Sequence, residues 1–72
     1  MAIKLPPFVT INYDGKTKTV NTQDYLAAKT KQLQEFGYPS LTREEVKAEL
    51  GKIFNGGKLT VIGMFMEGEI QK

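Results

Sequence analysis

The N-terminal third of the chain alternates between apolar and polar residues with a period of two, as half-buried β-strands do. The alternation covers residues 8–13, stops at Asp14-Gly15 and resumes in the β-branched residues 16–20. Because Asp-Gly favours the two-residue turn between antiparallel strands, we predict a β-hairpin. The register of such a turn pairs Val9 with Val20. The predicted core face consists of Val9, Ile11, Tyr13 and Val20, and the predicted outer face of Thr10, Asn12, Thr17 and Thr19.

A helical period follows the hairpin. Asn21 or Thr22 can cap the helix, Asp24 lies in its first turn, and Gly37 comes directly after the last apolar residue, Phe36. We therefore predict a helix over residues 23–36. Its expected buried positions are Tyr25, Leu26, Ala28, Leu33 and Phe36, and its expected solvent positions are Gln23, Ala27, Lys31 and Gln34.

A second helix is predicted to begin after Thr42. Thr42 and Glu45 have the spacing of a capping box, and Leu41 can pack on Val46 as a hydrophobic staple. Asn55-Gly56-Gly57 is expected to end the helix. Its apolar stripe consists of Val46, Leu50, Ile53 and Phe54. Residues 38–41 join the two helices, which predicts a helical hairpin.

Residues 58–66 are apolar at both sets of alternating positions, which is typical of a central strand. One predicted face holds Leu59, Val61 and Phe65, and the other holds Ile62, Met64 and Met66. Glu67-Gly68 is expected to turn the chain into a short tail that contains Ile70.

The predicted element order is β-β-α-α-β, an α+β fold with a three-stranded sheet and the helical hairpin packed on one face. The C-terminal strand is expected beside the first, which gives the strand order 2-1-3. A chain of 72 residues has room for one small domain. Within it, Pro6 and Pro7 predict an extended lead-in over residues 1–7.

Composition removes most catalytic chemistry. The chain has neither cysteine nor histidine, so thiol nucleophiles and imidazole bases are missing, together with the commonest zinc ligands. Three clustered carboxylates lie on the second helix, where caps and solvation explain them: Glu44, Glu45 and Glu49. Glu67 and Glu69 supply too few oxygens for a hard cation. Gly56-Gly57 follows a helix, whereas a phosphate-binding loop follows a strand. We expect no enzyme, cofactor, metal site or small-molecule substrate.

The sequence offers no membrane span. Its longest apolar run, from Val61 to Met66, is far shorter than the roughly 20 residues that a span needs. The first residues have two prolines where an export signal has its hydrophobic region. We expect a cytoplasmic protein without a membrane partner.

Protein binding is the first functional hypothesis. If the last strand turns Leu59, Val61 and Phe65 toward the helices, then Ile62, Met64 and Met66 form an apolar strip on the outer face of the sheet. Such a strip needs a cover, which the segment from Ile3 to Pro7, a second copy of the chain or a different protein would supply. We predict a small regulator, inhibitor or accessory subunit that binds another protein or self-associates.

Nucleic-acid binding is the alternative. The net charge is +2, and the N-terminal half carries most of the excess, with five lysines against two aspartates in residues 1–34. Four of these lysines are the candidate contacts with phosphates: Lys16, Lys18, Lys29 and Lys31. Glu44 and Glu45 open the second helix, which makes that helix a poor recognition element for DNA.

Overall fold

The computed structural model describes residues 5–71, which form one three-stranded sheet and three helices. The elements are β1 (Phe8–Tyr13), β2 (Lys16–Asn21), α1 (Thr22–Phe36), α2 (Arg43–Asn55), α3 (Val61–Glu67) and β3 (Ile70–Gln71). The sheet is antiparallel with the order β2-β1-β3. The α+β class and the predicted strand order are therefore confirmed.

The hairpin has the predicted register, with Val9 opposite Val20 and Thr10 opposite Thr19. Asp14 and Gly15 both have positive φ, 47° and 74°, as the two-residue turn of a twisted hairpin requires. Across the outer face, the hydroxyls of Thr10 and Thr19 lie 3.2 Å apart and share a hydrogen bond. Tyr13 was expected in the core but is exposed, because it borders the turn at the far end of the hairpin.

Helix α1 begins and ends where its capping residues indicate. The Asn21 side chain accepts hydrogen bonds from the backbone N–H groups of Gln23 and Asp24, and Gly37 ends the helix with a φ of 140°. Three side chains depart from the predicted burial, and one of them, Gln34, expected in solvent, is half-buried and donates to the Leu41 carbonyl at 2.7 Å. Phe36, expected in the core, is exposed at the last position of α1, and Ala28 is exposed on the flank of the helix.

Helix α2 starts with the predicted capping box. The Glu45 N–H donates to the Thr42 hydroxyl at 3.2 Å, and the Thr42 N–H donates to the Glu45 carboxylate at 3.0 Å. Gly56, with a φ of 76°, ends the helix as expected. The buried face of α2 includes Val46, Leu50 and Ile53.

The prediction of a strand over residues 58–66 is wrong, because most of that segment forms α3. A short apolar run fits a buried strand and a buried helix equally well. Leu59, Ile62 and Met66, spaced by three and four residues, pack into or against the core, as one face of a helix does. The third strand is instead β3, in which Ile70 pairs with Ile11.

The hydrophobic core lies between the inner face of the sheet and the three helices, and every element except β2 contributes a buried apolar residue. Its members are Val9, Tyr25, Leu26, Val46, Leu50, Ile53, Met66 and Ile70. Leu5 packs against this core, and the Thr22 hydroxyl fixes the lead-in by donating to the Pro6 carbonyl at 2.6 Å. Ile3, proposed above as part of a cover, lies outside the described residues.

Candidate functional site

The start of α3 is held by a buried carboxylate on α2. Glu49 accepts hydrogen bonds from both the backbone N–H and the hydroxyl of Thr60, each at 2.7 Å, and from the Lys52 ammonium, also at 2.7 Å. Burial alone would raise the pKa of Glu49, but the hydrogen bonds from Lys52 and Thr60 and the charge of Lys52 outweigh it and lower the pKa. The carboxylate is thus ionised and fully occupied at neutral pH.

Gly63 brings α3 into close contact with the same carboxylate. A Cβ atom at this position would lie 2.6 Å from the Glu49 Oε1 atom and 3.0 Å from a Leu59 methyl carbon. A side chain at this position would have to displace the Glu49 carboxylate, which Thr60 and Lys52 hold. Together, Glu49 and Gly63 fix the rotation of α3 about its axis, so that Met66 points into the core and Met64 points out.

The outward face of α3 and the end of α1 form an exposed apolar surface, which we call the apolar patch. It consists of Phe36, Val61, Met64 and Phe65, which are 69%, 57%, 61% and 49% exposed. Phe36 and Phe65 join the two helices through an edge-to-face contact, with ring centroids 5.9 Å apart and an interplanar angle of 77°. Such contacts are favourable for aromatic pairs, so the patch is one continuous surface.

The exposed apolar area of the patch is larger than that of a single exposed side chain. If a whole aromatic side chain presents roughly 150–250 Å², the exposed fractions of Phe36 and Phe65 amount to on the order of 200 Å². Val61 and Met64 bring the total to roughly 400 Å², within the range of the largest patches on monomeric proteins, which are often functional. The patch is therefore a candidate contact surface.

A polar cluster ties the segment that follows α3 to α1. The Tyr25 hydroxyl and the Lys29 ammonium both donate to the Glu69 carboxylate at 2.7 Å, and Lys29 also donates to Gln32 at 2.8 Å. Burial, reinforced by the neighbouring Glu69, raises the pKa of the Tyr25 hydroxyl well above its ordinary range. The cluster lines an open depression beside Ile11, but its charges and its hydroxyl are already paired with one another.

The three residues predicted as a protein-binding strip do not share a face. On α3, Ile62 is half-buried against the core, Met64 is exposed and Met66 is fully buried. The predicted orientation is also reversed for Val61 and Phe65, which were expected to point inward and are exposed. Both errors follow from the period, because residues two apart lie on one face of a strand but about 200° apart around a helix.

The four candidate lysines lie on two elements, and one of them is paired. Lys29 forms an ion pair with Glu69, whereas Lys16 and Lys18 lie on β2. Lys31 is exposed and lies about 200° around α1 from Lys29. Nucleic-acid binding by these lysines therefore stays a prediction.

The described residues contain no group of three or more acidic, histidine or cysteine side chains that could hold a metal ion. Within residues 5–71, no helix has the length and apolar character needed to cross a membrane.

Phe36, Val61 and Phe65 are the patch residues that sequence reasoning misplaced. The signal that identifies Val61 and Phe65 is the helical spacing in residues 59–66, where these two residues recur on one side and Leu59, Ile62 and Met66 on the other. Thr60 is a typical N-cap residue at the start of this pattern, although its hydroxyl binds Glu49 and makes no cap to its own helix.

No protein-family model, curated protein or solved structure matches this chain.

Proposed function

We propose that this chain is a non-enzymatic interaction protein that binds another protein molecule through the apolar patch. The observation that carries the proposal is the joining of two exposed aromatic rings, Phe36 and Phe65, to Val61 and Met64 in one surface. Aromatic residues and methionine are enriched at protein interfaces, and a few buried aromatic anchors carry most of the binding energy there.

The contacts that hold α3 in place favour a role in protein binding. Glu49 and Gly63 hold the helix against α2, and Glu69 ties its far end to Tyr25 and Lys29. A surface fixed in this way loses little conformational entropy when a partner covers it. The patch is therefore preorganised for binding.

The state of the carboxylates supports a non-enzymatic role. Glu49 is occupied by Thr60 and Lys52, Glu69 by Tyr25 and Lys29, and Glu45 by the capping box. A general base needs a free lone pair within reach of a substrate. Glu49 is buried and bonded through both carboxylate oxygens, so it is not available to a substrate.

Substitution of patch residues tests the proposal. Phe65→Ser and Phe36→Ser remove the aromatic anchors, and Phe8→Ser is the matched control because Phe8 is also largely exposed but lies on β1. Each variant, immobilised as bait, is compared with the unmodified chain for proteins retained from the host lysate and for retention of the chain itself. We expect both patch variants to lose a band that Phe8→Ser keeps. Equal retention by all three variants would contradict the proposal.

A further inference from the structure

We infer that the free edge of β2 binds an extended acidic segment of another protein, which joins the sheet as a fourth strand. The edge belongs to the sheet, whereas the apolar patch lies on α1 and α3, so the two surfaces can act independently. The hydrogen-bond pattern of the hairpin leaves backbone groups unpaired at this edge, and two lysines select the charge of the strand that pairs with them.

The unpaired backbone groups of β2 belong to Thr17 and Thr19. Bonded and non-bonded pairs alternate along an antiparallel ladder, and the pair next to a two-residue turn is a bonded one, which here contains Lys16. The alternation holds to the end of the hairpin, where the Thr22 N–H donates to the Pro7 carbonyl at 3.0 Å. Even-numbered residues of β2 therefore bond to β1, and the N–H and C=O groups of the two threonines point away from it.

No other strand of residues 5–71 covers this edge, because β2 is the outermost strand in the order β2-β1-β3. Residues 16–19 are all exposed. Edge strands are commonly interrupted by a proline or a bulge, but β2 has no proline and stays in register with β1 over its whole length. Thr17 and Thr19 can therefore each donate a hydrogen bond to an added strand and accept one from it, as in β-strand addition.

The charges of β2 select the added strand. Lys16 and Lys18 lie on the same face of β2, both are exposed, and neither forms an ion pair with another described residue. The strand has no acidic residue. An added strand places alternate side chains on this face, with Cβ atoms about 4.5–5.5 Å from those directly opposite. Glutamate or aspartate at alternate positions would therefore pair with both lysines.

The same lysines disfavour a second copy of this chain as the added strand. If two β2 edges pair antiparallel with Thr17 opposite Thr19, Lys18 lies directly opposite Lys18 of the other copy. Like charges in directly opposite positions destabilise a sheet. Lysines commonly protect edge strands against self-association, and the same charges complement an acidic segment.

Hydrogen exchange with a probe peptide tests strand addition. The probe is an acetylated and amidated peptide of alternating threonine and glutamate, about eight residues long, which spans the edge. In the free chain the Thr17 and Thr19 amides should exchange quickly and the Lys18 amide slowly, because only the last is bonded to β1. Peptide at about nine-tenths occupancy should slow both threonine amides about tenfold. Unchanged exchange at about 1 mM peptide overturns the inference.

Charge variants test the selection of an acidic strand. Lys16→Gln combined with Lys18→Gln should weaken peptide binding about three- to tenfold, as expected for the loss of two exposed ion pairs. Lys31→Gln combined with Lys58→Gln is the matched control, because it removes the same charge from exposed positions outside the sheet and should leave binding unchanged. Equal losses in the two double variants would reflect net charge alone and would overturn the site.

Two further probes separate a paired strand from other anionic ligands. An added strand turns only one alternate set of its N–H groups toward β2. Of two probes, one N-methylated at its threonines and the other at its glutamates, only one should therefore lose binding, and equal affinities overturn strand addition. Single-stranded oligothymidylate of similar length tests phosphates as the ligand of the lysines. Tighter binding of this DNA than of the peptide at the same salt concentration overturns the acidic segment as the occupant.

Discussion

At the scale of single residues, the position of α3 depends on a carboxylate and on a missing side chain. Glu49 binds Thr60 at the start of the helix, and Gly63 allows the helix to approach that carboxylate. Both act within a few ångströms of one another, so their contributions to stability are expected to be coupled.

Glu49→Gln is expected to lower the free energy of unfolding at neutral pH by about 1–3 kcal/mol, because the variant loses the charge-assisted bonds from Lys52 and Thr60. Glu44→Gln, at an exposed position on the first turn of α2, is the matched control. Denaturant unfolding at pH 7 measures both. Equal values for the two variants would show that Glu49 does not anchor α3.

The lowered pKa of Glu49 predicts how the free energy of unfolding depends on pH. The folded chain holds the pKa of Glu49 below its ordinary value of 4.5, so its stabilisation is present in full above that pH and is lost as the pH falls through and below it. Unfolding midpoints measured from pH 6 to pH 3 should fall more steeply for the unmodified chain than for Glu49→Gln. Parallel curves would contradict the assignment.

Gly63→Ala and Gly68→Ala form a matched pair. Alanine at 63 would meet the Glu49 carboxylate at 2.6 Å, whereas alanine at 68 meets only ordinary contacts of 3.8 Å and a right-handed backbone. We expect the first change to cost about 1–3 kcal/mol through overpacking and the second to be neutral or slightly stabilising. Thermal melts decide between them, and a neutral Gly63→Ala would show that α3 lies farther from α2.

At the scale of elements, the sequence was informative where local chemistry selects the conformation. Asp14-Gly15 allows only a narrow set of turns, and Thr42 with Glu45 satisfies the amides at a helix start, so the hairpin and α2 were predicted with their register and boundaries. Residues 58–66 lack such a local determinant. Their helix is selected by Glu49, eleven residues before Thr60, and by the fit of Gly63, which a linear pattern does not display.

The sequence predicted an exposed apolar surface but did not predict correctly which residues form it. An apolar surplus in residues 58–66 indicated an exposed apolar surface, and Met64 belongs to one. Met66 was assigned to the same surface and is buried, because the chain turns by about 100° per residue in a helix. Phe36 joins the patch through Phe65, a contact between residues 29 positions apart that no local pattern reveals.

Met66 and Met64 test the helix directly, since a strand would place both on one face. Met66→Ala should cost about 2–5 kcal/mol as a fully buried side chain is removed, whereas Met64→Ala should change the free energy of unfolding by less than about 0.5 kcal/mol. Chemical denaturation of dilute protein measures both. Similar losses for the two variants would be evidence against α3.

The capping box of α2 gives a further prediction. Thr42→Ala removes the hydroxyl that accepts from the Glu45 N–H and should cost about 1 kcal/mol, or several degrees in melting temperature for a chain of this size. Ser40→Ala, in the preceding turn, is the control. A melting temperature unchanged relative to that control would place the start of α2 elsewhere.

At the scale of the whole molecule, one part of the fold holds α3 in place and another part of α3 is exposed to solvent. The sheet, α1 and α2 build a core that includes Met66 and Ile70, and this core holds α3 with its apolar side outward. Covering this exposed side with a partner protein would remove apolar surface from water without altering the fold of the chain.

The methyl groups of Met64 and Met66 test the orientation of α3 in one NMR measurement, the relaxation caused by a dissolved paramagnetic agent. In dilute solution we expect strong relaxation of the Met64 methyl and almost none of the Met66 methyl, since the two residues are 61% and 0% exposed. Equal relaxation of the two methyls would contradict the account.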